Sequence, residues 1–370
     1  MKIGILTLPF NNNYGGYLQA YALMTVLKEM GHEVELIYRR HNKIPVRKII
    51  ILKIKNIVKV IFGRKDLSVI PNVEKAFRAR GISMMPFLDN RITPKSKPLY
   101  STKAFNDYVS GRFDAVIVGS DQVWRPEYGP NIRDYFFCGV PDNNLIRLSY
   151  AASFGTDKPL YTEEDIIACG KALAKFKAVS VREESGLKIL NEMYSKIKCT
   201  PELVLDPTLL LQANNYNSII PKGDAPSKDK VFCYVLDTDY EKEKIMKMIC
   251  DNLHKERYAI SDIQKNDTLL PSVESWLSAI RDSDFVITDS FHGMAFSVIF
   301  HKEFVVCPNV QRGADRFVSF LNICGIHNRI LSNTKNIESI IQIPIDWEAV
   351  EKNLHIHRYN SSLFLKLALA

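Results

Sequence analysis

The sequence predicts an α/β fold of two doubly wound units, each built on a parallel sheet. Three observations predict it. Short apolar, strand-length runs alternate with helix-period runs along most of the 370 residues. The strands end in polar tips carrying Gly, Ser, Asp or Arg rather than in hairpin turns. A polar stretch rich in turn formers, NNYNSIIPKGDAPSKDK at 214–230, divides two such series. A chain of this length suits two domains. The expected organisation is a unit over 1–213, a linker over 214–230, and a second unit over 231–370 that includes a helical tail.

The elements follow in order. Lys2 to Leu8 is a continuous apolar strand, and PFNNNYGG after it reads as a loop. Tyr17 to Met30 has helical spacing and is closed by Gly31. Glu33 to Tyr38 is the next strand, which makes a β-loop-α-β unit with parallel pairing. The loop holds Gly15-Gly16 but no GxGxxG, so there is no dinucleotide fingerprint. Further strands are expected at Phe113 to Val118, Leu145 to Tyr150, Ala178 to Val181 and Leu203 to Leu205. Their tips are GSDQVW, AASFG, Arg182 and Asp206-Pro207-Thr208. The second series has strands at Val231 to Leu236, Tyr258 to Ser261, Asp284 to Thr288 and Glu303 to Cys307. Helices lie between them, including Val273 to Arg281 and Gly293 to Phe300. Two Rossmann-like domains joined in this way leave an interdomain cleft, and ligands bind at the carboxyl ends of such strands. The arrangement is GT-B-like.

Composition narrows the class. Hydrophobic content of 46% with charged content of 24% fits a soluble globular protein. No run approaches the roughly 18–20 apolar residues of a membrane span. The start, MKIGILTLPF, has too short an apolar run for a signal peptide. Seven cysteines (138, 169, 199, 233, 250, 307 and 324) are scattered without CxxC spacing. That pattern predicts reduced thiols in a cytoplasmic protein and no zinc site. The net charge of +8 is concentrated in Arg39 to Lys65, which interleaves ten Lys/Arg with apolar residues and has no acidic residue. One reading is a surface helix with a solvated basic face. The other, favoured by the rich apolar face, is a helix lying on an anionic membrane surface. No nucleic-acid motif accompanies the patch, so no nucleic-acid partner is expected.

The candidate chemistry sits at the strand tips. FVITDSFHGMAF, 285–296, breaks between strand and helix at Asp289, Ser290 and His292, with Gly293 next. The first N–H groups of a helix lack intrahelical partners and carry the positive end of its dipole, so such an end attracts anions. A histidine there can donate to phosphate or act as acid or base near neutral pH. Alternatively, Asp289 or Ser290 is an N-cap and His292 a packed residue. Arg182 precedes Glu183-Glu184-Ser185; it is either a carboxylate or phosphate clamp or a surface arginine paired with the glutamates. Arg312 and Arg316, four residues apart, follow the strand ending at Cys307 and are either cleft cations or solvated charges. Two DxD matches, at 237–239 and 282–284, show how little that pattern discriminates, and no metal is expected.

Several tips together resemble the polysaccharide pyruvyl transferase family. They are NNNYGGYLQAYAL (11–23), DAVIVGSDQVW (114–124), LSYAASFG (148–155), SVREESG (180–186), LDPTLLL (205–211) and FVITDSFHGMAF (285–296). The resemblance implies transfer of pyruvate from phosphoenolpyruvate to two hydroxyls of a surface-glycan sugar, often lipid-linked, giving a cyclic ketal. It implies a GT-B-like fold, with His292 and Arg182 as catalytic positions. His292 takes the acid/base role and Arg182 the anion clamp. Phosphoenolpyruvate is a co-substrate, and no cofactor or metal is needed. The family's arginine two positions before the histidine is Ser290 here, so Arg312 or Arg316 is expected to supply the cation. With Ser290 and Gly293 they make the expected donor site, and Tyr14, Asp121, Ser153 and Asp289 the expected acceptor side. The competing expectations are a GT-B glycosyltransferase using a nucleotide sugar, and a glycan- or lipid-binding accessory protein without catalysis. The protein is expected in the cytoplasm, peripheral on the inner membrane face if the basic segment binds lipid.

Overall fold

The structure is a computed structural model. It describes residues 1–43, 47, 50–51, 54–56, 58, 80–142, 144–194, 198–260, 269–308, 315–331, 333–335 and 337–370.

The first half carries strands β1 (Lys2–Leu6), β2 (Glu33–Ile37), β3 (Ala115–Val118) and β4 (Ile146–Ser149). They form one parallel sheet in the order β2-β1-β3-β4. Two short parallel strands, β5 (Ser180–Val181) and β6 (Glu202–Leu203), continue the edge through bridges from Leu148 to Ala178 and from Ala152 to Val181. The second half has β7 (Val231–Tyr234), β8 (Arg257–Ala259), β9 (Phe285–Thr288) and β10 (Phe304–Val306), in the parallel order β10-β9-β7-β8. All four residues of β3, β7 and β9 are buried, as expected for parallel strands covered by helices on both faces. The fold is therefore α/β and GT-B-like, with two parallel sheets.

The helices that frame the site are α1 (Tyr14–Glu29), α2 (Glu184–Met193), α3 (Tyr240–Leu253), α4 (Val273–Asp282), α5 (Phe291–Ile299), α6 (Asp315–Cys324) and α7 (Trp347–Leu369). Helix α1 begins at Tyr14, three residues before the sequence expectation, so both loop glycines lie in its first turn. It ends where Gly31 takes a φ of +86°, and the His32 N–H closes the last turn on Leu27 O at 3.1 Å. Helix α5 begins at Phe291, which puts His292 inside the first turn rather than before it.

One apolar cluster runs through both halves. Tyr14 stacks on Trp276 at 5.1 Å, and its hydroxyl donates to Pro271 O at 2.9 Å. Tyr216 meets Phe296 edge-on at 4.8 Å. The stretch 214–230 is not a solvated strap throughout. Its first residues lie in a helix, Ala213–Asn217, Ile219 and Ile220 are buried, and Ser227 Oγ donates to Ala279 O at 2.5 Å. The apolar Ile pair and the short helix give it packing partners.

Helix α7 ties the halves together. Near its start, Glu351 accepts from His301 Nε2 at 3.0 Å, and Trp347 stacks on the His301 ring. Further along, Ser361 Oγ accepts from the Leu205 N–H at 2.9 Å, Arg358 Nε donates to Leu209 O at 2.8 Å, and Phe364 packs on Tyr150. The sequence assigns this tail to the second unit; its C-terminal half covers the first.

The basic segment divides. Arg39 and Arg40 are buried rather than solvated, and Arg39 Nε pairs with Asp134 at 2.8 Å. Ile50, Ile51, Ile54 and Val58 are helical and exposed, and most of the remainder lies outside the described residues. All seven cysteines are free thiols. Among the described residues, no helix is long and apolar enough to cross a membrane.

Candidate active site

A cavity of about 710 Å³ is lined by residues of both halves. From the first come Phe10, Asn11, Asn12, Asn13, Gly16, Asp121 and Arg182; from the second come Tyr234, Leu236, Ser290, Phe291, His292 and Arg316. The strand tips of both sheets therefore contribute, as parallel sheets require.

The site is built outward from Asp206, at the tip after β6. Its carboxylate is fully buried and receives bonds from three elements. Oδ1 accepts from the Thr208 N–H at 3.0 Å and Thr208 Oγ1 at 2.7 Å. Oδ2 accepts from Ser120 Oγ at 2.7 Å and Arg182 Nη1 at 2.9 Å, and it faces His292 Nε2 at 3.6 Å. Burial alone would raise this carboxyl. The imidazolium of His292, then Arg182 and the Ser120 hydroxyl, outweigh burial and hold it well below the usual carboxylate range.

Arg182 follows β5 and is nearly inaccessible. Besides Asp206, its Nη2 lies 3.6 Å from Asp121 Oδ1 and its Nε 3.5 Å from Glu183 Oε2, and its guanidinium stacks over the Phe291 ring at 4.7 Å. The sequence expects an anion clamp here. The geometry turns the guanidinium to three protein carboxylates, because the tips of β3, β5 and β6 each end in an acid. Burial pushes the Glu183 carboxyl above its usual range, against the pull of Arg182. Glu183 Oε1 accepts from the Phe154 N–H at 3.2 Å.

His292 is 4% exposed, and its Nε2 makes no hydrogen bond. The ring is held between Phe291, edge-on at 5.4 Å, and the backbone of Gly15, where any Cβ would overlap the imidazole. Only glycine at 15 lets α1 approach the histidine. Ser290 is the N-cap of α5, its Oγ accepting from the Gly293 N–H at 3.4 Å. A Cβ at Gly293 would overlap Thr288 Oγ1, so this glycine serves the strand-to-helix turn and does not line the cavity.

Arg316, at the start of α6, lines the cavity and acts electrostatically on Glu183. Arg312 lies outside the described residues. Asp121 takes a φ of +73° and accepts from Asn13 Nδ2 at 3.1 Å, which draws the side chain of Asn13 off the N-terminus of α1. Three expected acceptor residues do not line the cavity. Ser153 Oγ accepts from the Gly155 N–H at 3.0 Å. Asp289 holds the tip after β7: it accepts from the Leu236 and Asp237 N–H groups at 2.7 and 3.1 Å and pairs with Lys242 at 2.8 Å. Tyr14 is buried against Trp276, and burial pushes its phenol far up. The first DxD match is a helix cap, Asp239 accepting from the Lys242 N–H at 2.8 Å.

Sequence reasoning missed Asp206, Asn13, His41 and Arg80 as parts of the site. The Asp-Pro-Thr tip after an apolar strand was the available signal for Asp206. Asn13 stood in the polar loop. His41 lines the cavity from the basic stretch just beyond β2, and Arg80 from a stretch without a strand-tip pattern. Burial, then the charge of Arg39, lowers the His41 imidazole.

Comparison with known proteins agrees with the fold. A putative UDP-N-acetylglucosamine 2-epimerase from Listeria monocytogenes superposes with a TM-score of 0.55 at 10% identity, over 100% of this chain and 95% of that one. The UDP-GlcNAc 2-epimerase of Methanocaldococcus jannaschii does so with a TM-score of 0.50 at 11% identity, over 97% of this chain and 100% of that one. At such identities the likeness is one of fold. No curated protein matches the chain. The sequence pattern of one family, described as polysaccharide pyruvyl transferase, matches residues 13–310.

Proposed function

Because the chain belongs to the polysaccharide pyruvyl transferase family, we propose that it transfers pyruvate from phosphoenolpyruvate to two hydroxyls of a glycan sugar, closing a cyclic ketal. The observation that carries this reading is the buried imidazole of His292 in the wall of a cavity between two parallel sheets.

Ketal formation adds one proton to the enol methylene carbon and leaves an oxocarbenium-like centre at the neighbouring carbon. A sugar hydroxyl attacks that centre and loses its proton, and phosphate departs. The second hydroxyl then closes the ring and loses its own. A group that exchanges protons near neutral pH suits these transfers, and His292 takes that role. Arg316, which lines the cavity, supplies the positive charge that Ser290 does not, and the positive end of the α5 dipole favours the departing phosphate. Arg182 acts through the carboxylates it holds rather than as an open clamp. Asn13 and Asp121 offer donor and acceptor groups to sugar hydroxyls.

The acceptor reading extends to a lipid-linked glycan at an anionic membrane surface. Exposed Ile50, Ile51, Ile54 and Val58 lie on one helical face within the basic stretch. Retention of the protein on anionic but not neutral vesicles tests it.

The experiment for the reaction is incubation with phosphoenolpyruvate and candidate glycans, following phosphate release and the mass of the glycan. Phosphate release with a mass gain, both lost in His292→Gln, is expected. Release of nucleotide from a sugar nucleotide instead would replace this reading with glycosyl transfer.

A further inference from the structure

Resting on the acid–base role given to His292, we propose that Asp206 is a positioning residue that fixes the protonated face of the imidazole and so selects Nδ1 as the nitrogen that exchanges protons with the reacting atoms.

The carboxylate cannot turn away. Thr208 holds Oδ1 through both its N–H and its hydroxyl, and Ser120 and Arg182 hold Oδ2. The imidazole is equally confined, between Phe291 and Gly15, and Nδ1 is the ring atom nearest to Gly15, beside the cavity wall that Gly16 and His292 share. Nε2 points into this fixed charge at 3.6 Å and makes no hydrogen bond. A ring nitrogen that offered its lone pair to a buried carboxylate would be repelled. A nitrogen that offers its N–H is attracted. The neutral ring therefore carries its proton on Nε2 and leaves the lone pair on Nδ1. Gain of a second proton at Nδ1 makes an imidazolium that Asp206 stabilises, and its loss restores the same tautomer. Asp206 keeps its negative charge throughout.

The other charges around the pair limit the effect. Arg182 shares Oδ2 with the histidine and opposes the imidazolium. Asp121 and Glu183, on the remaining nitrogens of Arg182, offset that opposition. Arg316 faces Glu183 from α6. Gly15, the α1 residue against the ring, brings no charge.

The test uses the full chain with ¹⁵N-labelled histidine, the His292 signals being identified by their loss in His292→Gln. At alkaline pH the wild-type ring is expected to carry its proton on Nε2. In folded Asp206→Asn, the neutral ring is expected to lose its strict preference for Nε2 and to show protons on both nitrogens, because the charge that attracts the Nε2 N–H is gone. A proton on Nδ1 in the neutral wild-type ring overturns the proposal. So does an unchanged tautomer in a folded Asp206→Asn. If that variant does not fold, the wild-type tautomer decides alone. Neither readout needs a donor or an acceptor, so the result stands apart from the reaction. A protein with the expected tautomer that releases no phosphate from phosphoenolpyruvate refutes the ketal reading and leaves this one. Where the ketal reading holds, Asp206→Asn is expected to lower kcat by about 10²–10⁴-fold, with the KM for phosphoenolpyruvate within about threefold, the pattern of a lost transition-state interaction.

Discussion

Arg182 is buried and has three nitrogens facing three different carboxylates. Its removal leaves buried charges uncompensated. Arg182→Ala is expected to lower stability by about 3–5 kcal/mol, read from the urea midpoint, and Arg182→Lys to recover only part, because an ammonium cannot face three acids at fixed angles. His292→Gln should show chiefly in the reaction, where phosphate release falls by about 10²–10⁴-fold. The pH dependence of stability belongs to Asp206. Its carboxyl is depressed in the folded state, so its contribution is complete above the unfolded value of about 3.9 and is lost as pH falls from there towards the folded value. The wild type should lose urea stability steeply below about pH 4, and folded Asp206→Asn less steeply. Among these residues His292 was legible, because a histidine between an apolar strand and a helix is a local pattern. The partners of Arg182 were not. Asp121 and Asp206 come from other strand tips, and their convergence depends on sheet order, which local spacing does not encode.

At the scale of elements, the start of α1 carries the same lesson in another form. Two adjacent glycines argue for a loop, since glycine costs a helix interior about 1 kcal/mol each relative to alanine. The helix includes both because Tyr14 is anchored on Trp276 and Gly15 lies against the His292 ring. Propensity would make alanine stabilising at either position. Packing predicts opposite signs. Gly15→Ala overlaps the imidazole, and a loss of both stability and phosphate release is expected. At Gly16 the nearest atoms to an added Cβ are 3.7 Å away. There Gly16→Ala should gain up to about 1 kcal/mol, measured by thermal unfolding, while its methyl group beside Asn13 and Asp121 raises the KM for the acceptor sugar. The strands were read closely, to within a few residues at either end, because buried parallel strands write continuous apolar runs. Helix starts were read less well, since a first turn built from Asn, Tyr and Gly is stabilised by groups far away in the chain.

For the whole molecule, the alternation of strands and helices revealed two parallel sheets and the strand tips that ring the cavity. It did not reveal that one apolar cluster joins them, nor that α7 returns to the first half. An amphipathic helix declares which face it buries but not against which surface. Phe364, buried beside Tyr150, is part of that return. Phe364→Ala is expected to cost about 3–5 kcal/mol, and the loss should appear in hydrogen exchange of β4 and the tips after β5 and β6, not only in α7 itself.

Helix α7 also sets an order of events during synthesis. The first sheet leaves the ribosome early, but the Ser361 hydroxyl that receives the Leu205 amide and the ring that covers Tyr150 are encoded far downstream. Until they emerge, the nascent first half displays an unfinished apolar surface. Completion of that half is deferred until the second has been translated. A pause or premature stop before codon 347 would therefore yield a chain that sticks to its neighbours rather than a smaller working protein.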